Sequence, residues 1–221
     1  MKIDAAPSQL SDALRAIFFA RDREVWLAKN CYARLDPSTT RTGLALADRY
    51  LAWVSIAETA LTAPAAIVTF ANIPQNFRTL ALPYQARTDA VAESDNVRLQ
   101  FNGSAVGYDT LESYFNSAGN VNIPGLNGVS MLAGVAEAAN SRANNFSPTL
   151  LFIEGYARAD RDKWAFGQSG VFGDASANAD LYNTLDRGRW RSLAAVTSIT
   201  LYPAVGPNFV AGSIFQLYGV L

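Results

Sequence analysis

The segment "NVRLQFNGSAVGYDT", residues 96–110, decides how the chain is read. Val97, Leu99 and Phe101 alternate with Asn96, Arg98 and Gln100. This two-residue period belongs to a strand with one buried face. Asn102-Gly103 then interrupts it. An Asn-Gly pair after alternating apolar residues is a strong tight-turn signal, because both residues adopt positive φ at little cost. The segment predicts a strand ending in a turn. The minority reading is a polar pocket in which Asn102, Tyr108 and Asp109 hold a sugar or a metal ion. A metal site needs several oxygen ligands, and this stretch offers one carboxylate.

The same pattern extends downstream. Strands are expected at 67–70, 77–87, 97–101, 149–156, 163–169, 193–202 and 213–220. Pro83 inside the second of these predicts an edge position or a bulge. Residues 129–135 read as a strand or a short helix, with Gly128 and Gly134 favouring the strand. The last strand, "SIFQLYGVL", is expected to be paired, since chain ends fray unless tied into a sheet. Around eight strands joined by Gly-, Asn- and Ser-rich turns predict an antiparallel β-sandwich of jelly-roll type over residues 64–221.

Residues 1–63 read differently. Leu10, Leu14, Ile17, Phe18 and Val25 fall on one helical stripe, and Phe19, Trp26 and Leu27 widen it. Asp36-Pro37-Ser38 makes a turn, and a second helix is predicted over 40–61, with Leu44, Ala47, Leu51 and Val54 near one side. The expected fold class is therefore α+β: an N-terminal α-helical hairpin followed by the sandwich. Two short helices cannot bury so broad an apolar face between themselves. The hairpin packs on its own domain or serves as a docking and oligomerisation segment.

Composition narrows the chemistry. The 221 residues carry 18 basic and 19 acidic side chains, with no basic excess for nucleic acid. There is no histidine, so Ser-His-Asp and Cys-His nucleophiles and His-bearing zinc sites are excluded. Cys31 is the only cysteine and cannot form an internal disulfide. No Walker loop, GxGxxG after a strand or EF-hand loop is present. No apolar run approaches the ~18 residues of a membrane span. The expectation is a non-enzymatic protein with no cofactor, no metal, no nucleic-acid partner and no membrane insertion.

The remaining candidates are carboxylates, aromatics and arginines. Asp160 and Asp162 in "ARADRDKW" would share a face at strand spacing, which suits acid/base work. A solvated hairpin tip accounts for them as well, and Glu93 and Asp95 carry the same two readings. Trp164, Trp190, Tyr156, Tyr182, Tyr202 and Tyr218 are core residues or stacking platforms. In "LDRGRWRS", Arg187, Arg189 and Arg191 alternate around Gly188 and Trp190. On a strand they would project three guanidiniums to one side, toward a sugar acid, a phosphate or a neighbouring subunit's carboxylates. The candidate ligand or interface set is Tyr108, Asp109, Trp164, Arg187, Arg189, Trp190 and Arg191.

Four stretches occur in order: "FANIPQNFRTLALPYQAR" (70–87), "DNVRLQFNG" (95–103) with "YD" at 108–109, "LLFIEGYARADRDKWAFGQSG" (150–170) and "WRSLAAVTSITLYPAVGPNFVAGSIFQLYGV" (190–220). The set resembles a β-rich module of tail-fibre, tail-spike and other appendage proteins of tailed bacteriophages, over residues 66–221. The resemblance implies a virion structural protein, made in the host cytoplasm and usually a homotrimer, with no catalytic motif to carry across. It would be an appendage contacting the host surface, where a glycan is a partner, with residues 1–63 joining it to itself and to other virion proteins. Its rivals are a head decoration or cement protein of the same fold and a carboxylate-based glycan hydrolase. The loop from Gly103 to Gly128, including "SAGNVNIPGLNG", is expected to carry recognition.

Overall fold

A computed structural model describes residues 53–116, 119–172 and 181–221. Twelve strands are found among them: β1 (Trp53–Ala60), β2 (Val68–Phe70), β3 (Thr79–Ala86), β4 (Ser94–Phe101), β5 (Tyr108–Asn116), β6 (Gly119–Gly128), β7 (Met131–Glu137), β8 (Ser147–Glu154), β9 (Lys163–Phe172), β10 (Leu181–Trp190), β11 (Ile199–Pro203) and β12 (Ile214–Val220). They form an eight-stranded sheet, β1-β12-β3-β8-β9-β10-β5-β6, and a four-stranded sheet, β2-β11-β4-β7. Every strand pair is antiparallel.

The alternation read in residues 96–101 sets the inner face. Val97, Leu99 and Phe101 are fully buried, together with Leu80, Leu82, Leu151, Ile153, Leu201, Phe215 and Leu217 from other strands of both sheets. Each such side chain contributes about 1.5–3 kcal/mol on leaving water, so this seam between the sheets holds the fold. Asn102 and Gly103 both have positive φ, 53° and 66°, and Ser104 N–H donates to Phe101 O at 2.9 Å. The turn is as predicted, but it is not a hairpin: it carries the chain from β4 in one sheet to β5 in the other. The Asn102 carboxamide fixes this corner. Its oxygen accepts from Thr197 N (2.8 Å) and Ser198 N (3.1 Å), and its nitrogen donates to Ala195 O at 2.7 Å.

The fold class needs correction. The described residues are all-β with no helix, and the helix expected over 40–61 is overturned where it can be seen, since Trp53–Ala60 is strand β1 paired with β12. The cause is a bulge between Ser55 and Ala57. An extra residue in one strand breaks the two-residue period that marks a strand, so no clean alternation competes with the helical spacing of Leu44, Ala47, Leu51 and Val54. The helix read around residues 8–35 lies outside the described residues.

Three further expectations change. Residues 103–128, read as a loop, contain the β5–β6 hairpin. The strand expected at 193–202 is confined to Ile199–Pro203. Pro83 sits in an interior strand, between β12 and β8. The β3–β8 ladder is continuous through Pro83, whereas the β3–β12 ladder is open at Leu82 and Pro83. The proline's missing donor therefore faces β12, where no bond is asked of it. Residues 129–135 resolve in favour of the strand, as β7.

Candidate binding surface

Strand register assembles a row of side chains on the outer face of the eight-stranded sheet. Arg189 in β10 is the Cα partner of Asp109 in β5 on one side and of Trp164 in β9 on the other. Asp109 Oδ2 accepts from Arg189 at 2.6 and 3.1 Å, and Arg191 lies 3.5 Å from the same oxygen. Asp109 Oδ1 accepts from Asn127 N at 3.1 Å, and Arg191 also bonds the Asn127 carboxamide. These interactions, Arg189 foremost, hold the Asp109 carboxyl below the usual carboxylate range. The Arg189 guanidinium lies 5.8 Å from the centroid of the Trp164 ring, within cation–π range, and 3.9 Å from Asp162.

The next row carries the apolar part. Phe152, Phe166, Arg187 and Leu111 are successive cross-strand partners. Phe152 and Phe166 stack at 5.4 Å, and Trp53 meets Phe152 edge-on at 5.8 Å. Trp164 is 51% exposed and Phe166 44%, more than core aromatics allow. Among the described residues Arg187 has no ion pair. Alongside runs a groove of about 510 Å³ lined by Phe152, Phe166, Leu150, Leu185, Gln168 and Asn183, among others.

Five of the seven residues singled out from sequence thus meet on one face: Asp109, Trp164, Arg187, Arg189 and Arg191. Tyr108 and Trp190 point the other way. They are buried, stacked on each other at 6.1 Å and 16°, with Phe101 5.7 Å from Trp190. The Tyr108 hydroxyl accepts from Phe101 N at 2.7 Å, and burial raises its pKa to about 12. Both support the platform from beneath. Phe166 and Asn127 were missed. Phe166 has the alternation of a surface strand, and only its exposure distinguishes it from a core residue.

The carboxylates divide by environment. Asp160 and Asp162 lie in the β8–β9 connection, and Asp160 is clasped by Arg158 (2.7 Å) and Arg161 (3.0 Å), which hold its pKa low. This is the hairpin-tip reading. Asp95 is buried and accepts from Val205 N and Gly206 N at 3.1 and 2.8 Å, fixing the turn after β11. Asp186 was not anticipated. It lies between the sheets, where burial raises its pKa to about 6 against the pull of its Thr184 bond. Thr184 donates to Asp186 Oδ2 at 2.7 Å and meets Ser169 at 2.5 Å. Ser169 in turn accepts from Val135 N of the opposite sheet at 2.9 Å. Asp186 Oδ1 has no partner among the described residues.

No group of three or more potential metal ligands occurs among the described residues. No family model matches the chain, and no curated protein or solved structure is matched either.

Proposed function

We propose that the protein is a structural, non-catalytic component of a tailed-phage virion, a homotrimeric appendage that binds a host-surface glycan. The observation behind the binding role is the row Asp109–Arg189–Trp164 with Phe166 and Arg187 beside it. Exposed aromatic faces stack on the apolar faces of sugar rings. The guanidiniums and the Asp109 carboxylate offer donors and acceptors to hydroxyls and acidic groups. The sheet fixes all of them on rigid strands. A shallow face of this kind binds one sugar weakly, and a trimer multiplies weak contacts into avidity. The virion setting and the threefold assembly rest on the ordered sequence stretches alone.

The full-length chain is applied to an array of bacterial surface glycans, and its native mass is measured by light scattering. The expected result is a trimer that binds a subset of glycans and loses at least about tenfold in affinity on Trp164→Ala, about 1.4 kcal/mol. A monomer that binds nothing on the array, or binding indifferent to both Trp164→Ala and Arg187→Gln, would reject the reading.

A further inference from the structure

A second groove is lined by residues of β4, β5, β6, the β6–β7 connection and β11. Its volume is about 370 Å³, and Arg98, Thr110, Tyr202, Ser130 and Leu126 help to line it. That is within the size of small-molecule sites. Arg98 and Tyr202 are Cα partners on neighbouring strands, so their side chains rise together from one face. Three polar groups at this groove are unspent. Among the described residues Arg98 forms no ion pair, and neither the Tyr202 nor the Thr110 hydroxyl forms a hydrogen bond. The Glu112 carboxyl feels the Arg98 charge, although burial raises its pKa on balance. The wall is held in place: Asp109 anchors the Asn127 amide in the middle of the Gly125–Gly128 segment.

We propose that this groove binds a carboxylated monosaccharide of the hexuronic acid class, at a site separate from the Trp164 face. The planar guanidinium of Arg98 pairs with the sugar carboxylate fork to fork. The Tyr202 and Thr110 hydroxyls bond the ring hydroxyls, and Leu126 with Val129 covers the apolar ring face. One guanidinium matches one negative charge, and Glu112 nearby opposes a dianion such as a phosphate monoester. The site does not depend on the glycan reading of the outer face, and it adds acidic-sugar specificity if that reading holds.

The test titrates the full-length chain with methyl glucuronide, followed by calorimetry and by chemical-shift changes, with methyl glucoside and acetate as controls. Saturable millimolar binding of the glucuronide, with at least about tenfold weaker binding of both controls, is the expected result. Arg98→Gln abolishes binding, Arg98→Lys retains part of it, and Tyr202→Phe weakens it. Trp164→Ala leaves it unchanged, which separates this site from the outer face. Tyr202→Phe preserves shape and keeps the test valid should Arg98→Gln unfold the chain. The proposal is overturned by no saturable binding, by acetate binding as well as the glucuronide, or by glucuronide binding that survives both Arg98→Gln and Tyr202→Phe.

Discussion

Arg189 and Trp164 stand opposite each other on β10 and β9, the guanidinium 5.8 Å from the indole centroid, while the same arginine grips Asp109 on β5 at 2.6 Å. The arginine is thus a bracket between a carboxylate and an aromatic plate. Arg189→Gln is expected to leave the fold intact, since Asn127 N still donates to the Asp109 carboxylate and Arg191 still lies beside it. It frees the Trp164 ring to rotate. Glycan affinity should fall several-fold with an unchanged melting temperature. A large fall in melting temperature would show that the bracket is structural instead.

Asp186 predicts an inverted pH response. Its folded pKa of about 6 lies above the ordinary carboxylate value of about 3.9. The folded state therefore keeps its proton to higher pH than the unfolded chain does, and stability falls as pH rises from about 4 through 6. The difference corresponds to about 3 kcal/mol. Glu112, also raised by burial, acts in the same direction. Wild type should melt higher at pH 5 than at pH 7.5, and Asp186→Asn should be more stable than wild type at pH 7.5 with a flatter profile. Equal slopes for the two proteins would remove Asp186 as the cause.

Tyr108→Phe leaves the buried Phe101 amide without its 2.7 Å acceptor. An orphaned buried donor costs about 1–3 kcal/mol, and urea unfolding should show a loss of that order. Removal of the Tyr202 hydroxyl, which forms no hydrogen bond among the described residues, is the matched control and should be near neutral.

Gly188 is required by Met131. A Cβ at position 188 would lie 2.9 Å from both Cβ and Sδ of Met131. Overpacking of this kind costs about 1–3 kcal/mol, so Gly188→Ala should lower the urea midpoint. Unchanged stability would mean that the Met131 side chain repacks freely.

The legible parts of the chain were those where burial on one face alone shapes the sequence. Residues 94–101, 147–154 and 214–220 alternate cleanly, and Asn102-Gly103 announces its own backbone angles. The illegible parts obey a second constraint. The β1 bulge shifts the period. In β6 the glycines, asparagines and Pro124 of an edge strand look like a loop. In β10, Gly188 makes room for Met131 within a charged strand. For the site, the alternation of Arg187, Arg189 and Arg191 was visible. The meeting of Arg189 with Asp109, 80 residues away in sequence, depends on register between β10 and β5, which no local pattern encodes.

The proline in β3 has a further consequence. The ladder between β3 and β12 lacks rungs at Leu82 and Pro83, so the eight-stranded sheet has a fault line between its second and third strands, β12 and β3. Under thermal agitation or mechanical load the β1–β12 ribbon should detach there as a unit, leaving the remaining six strands of that sheet paired. Amide exchange would record this as two tiers of protection, with the amides of Ile214–Val220 in the faster one.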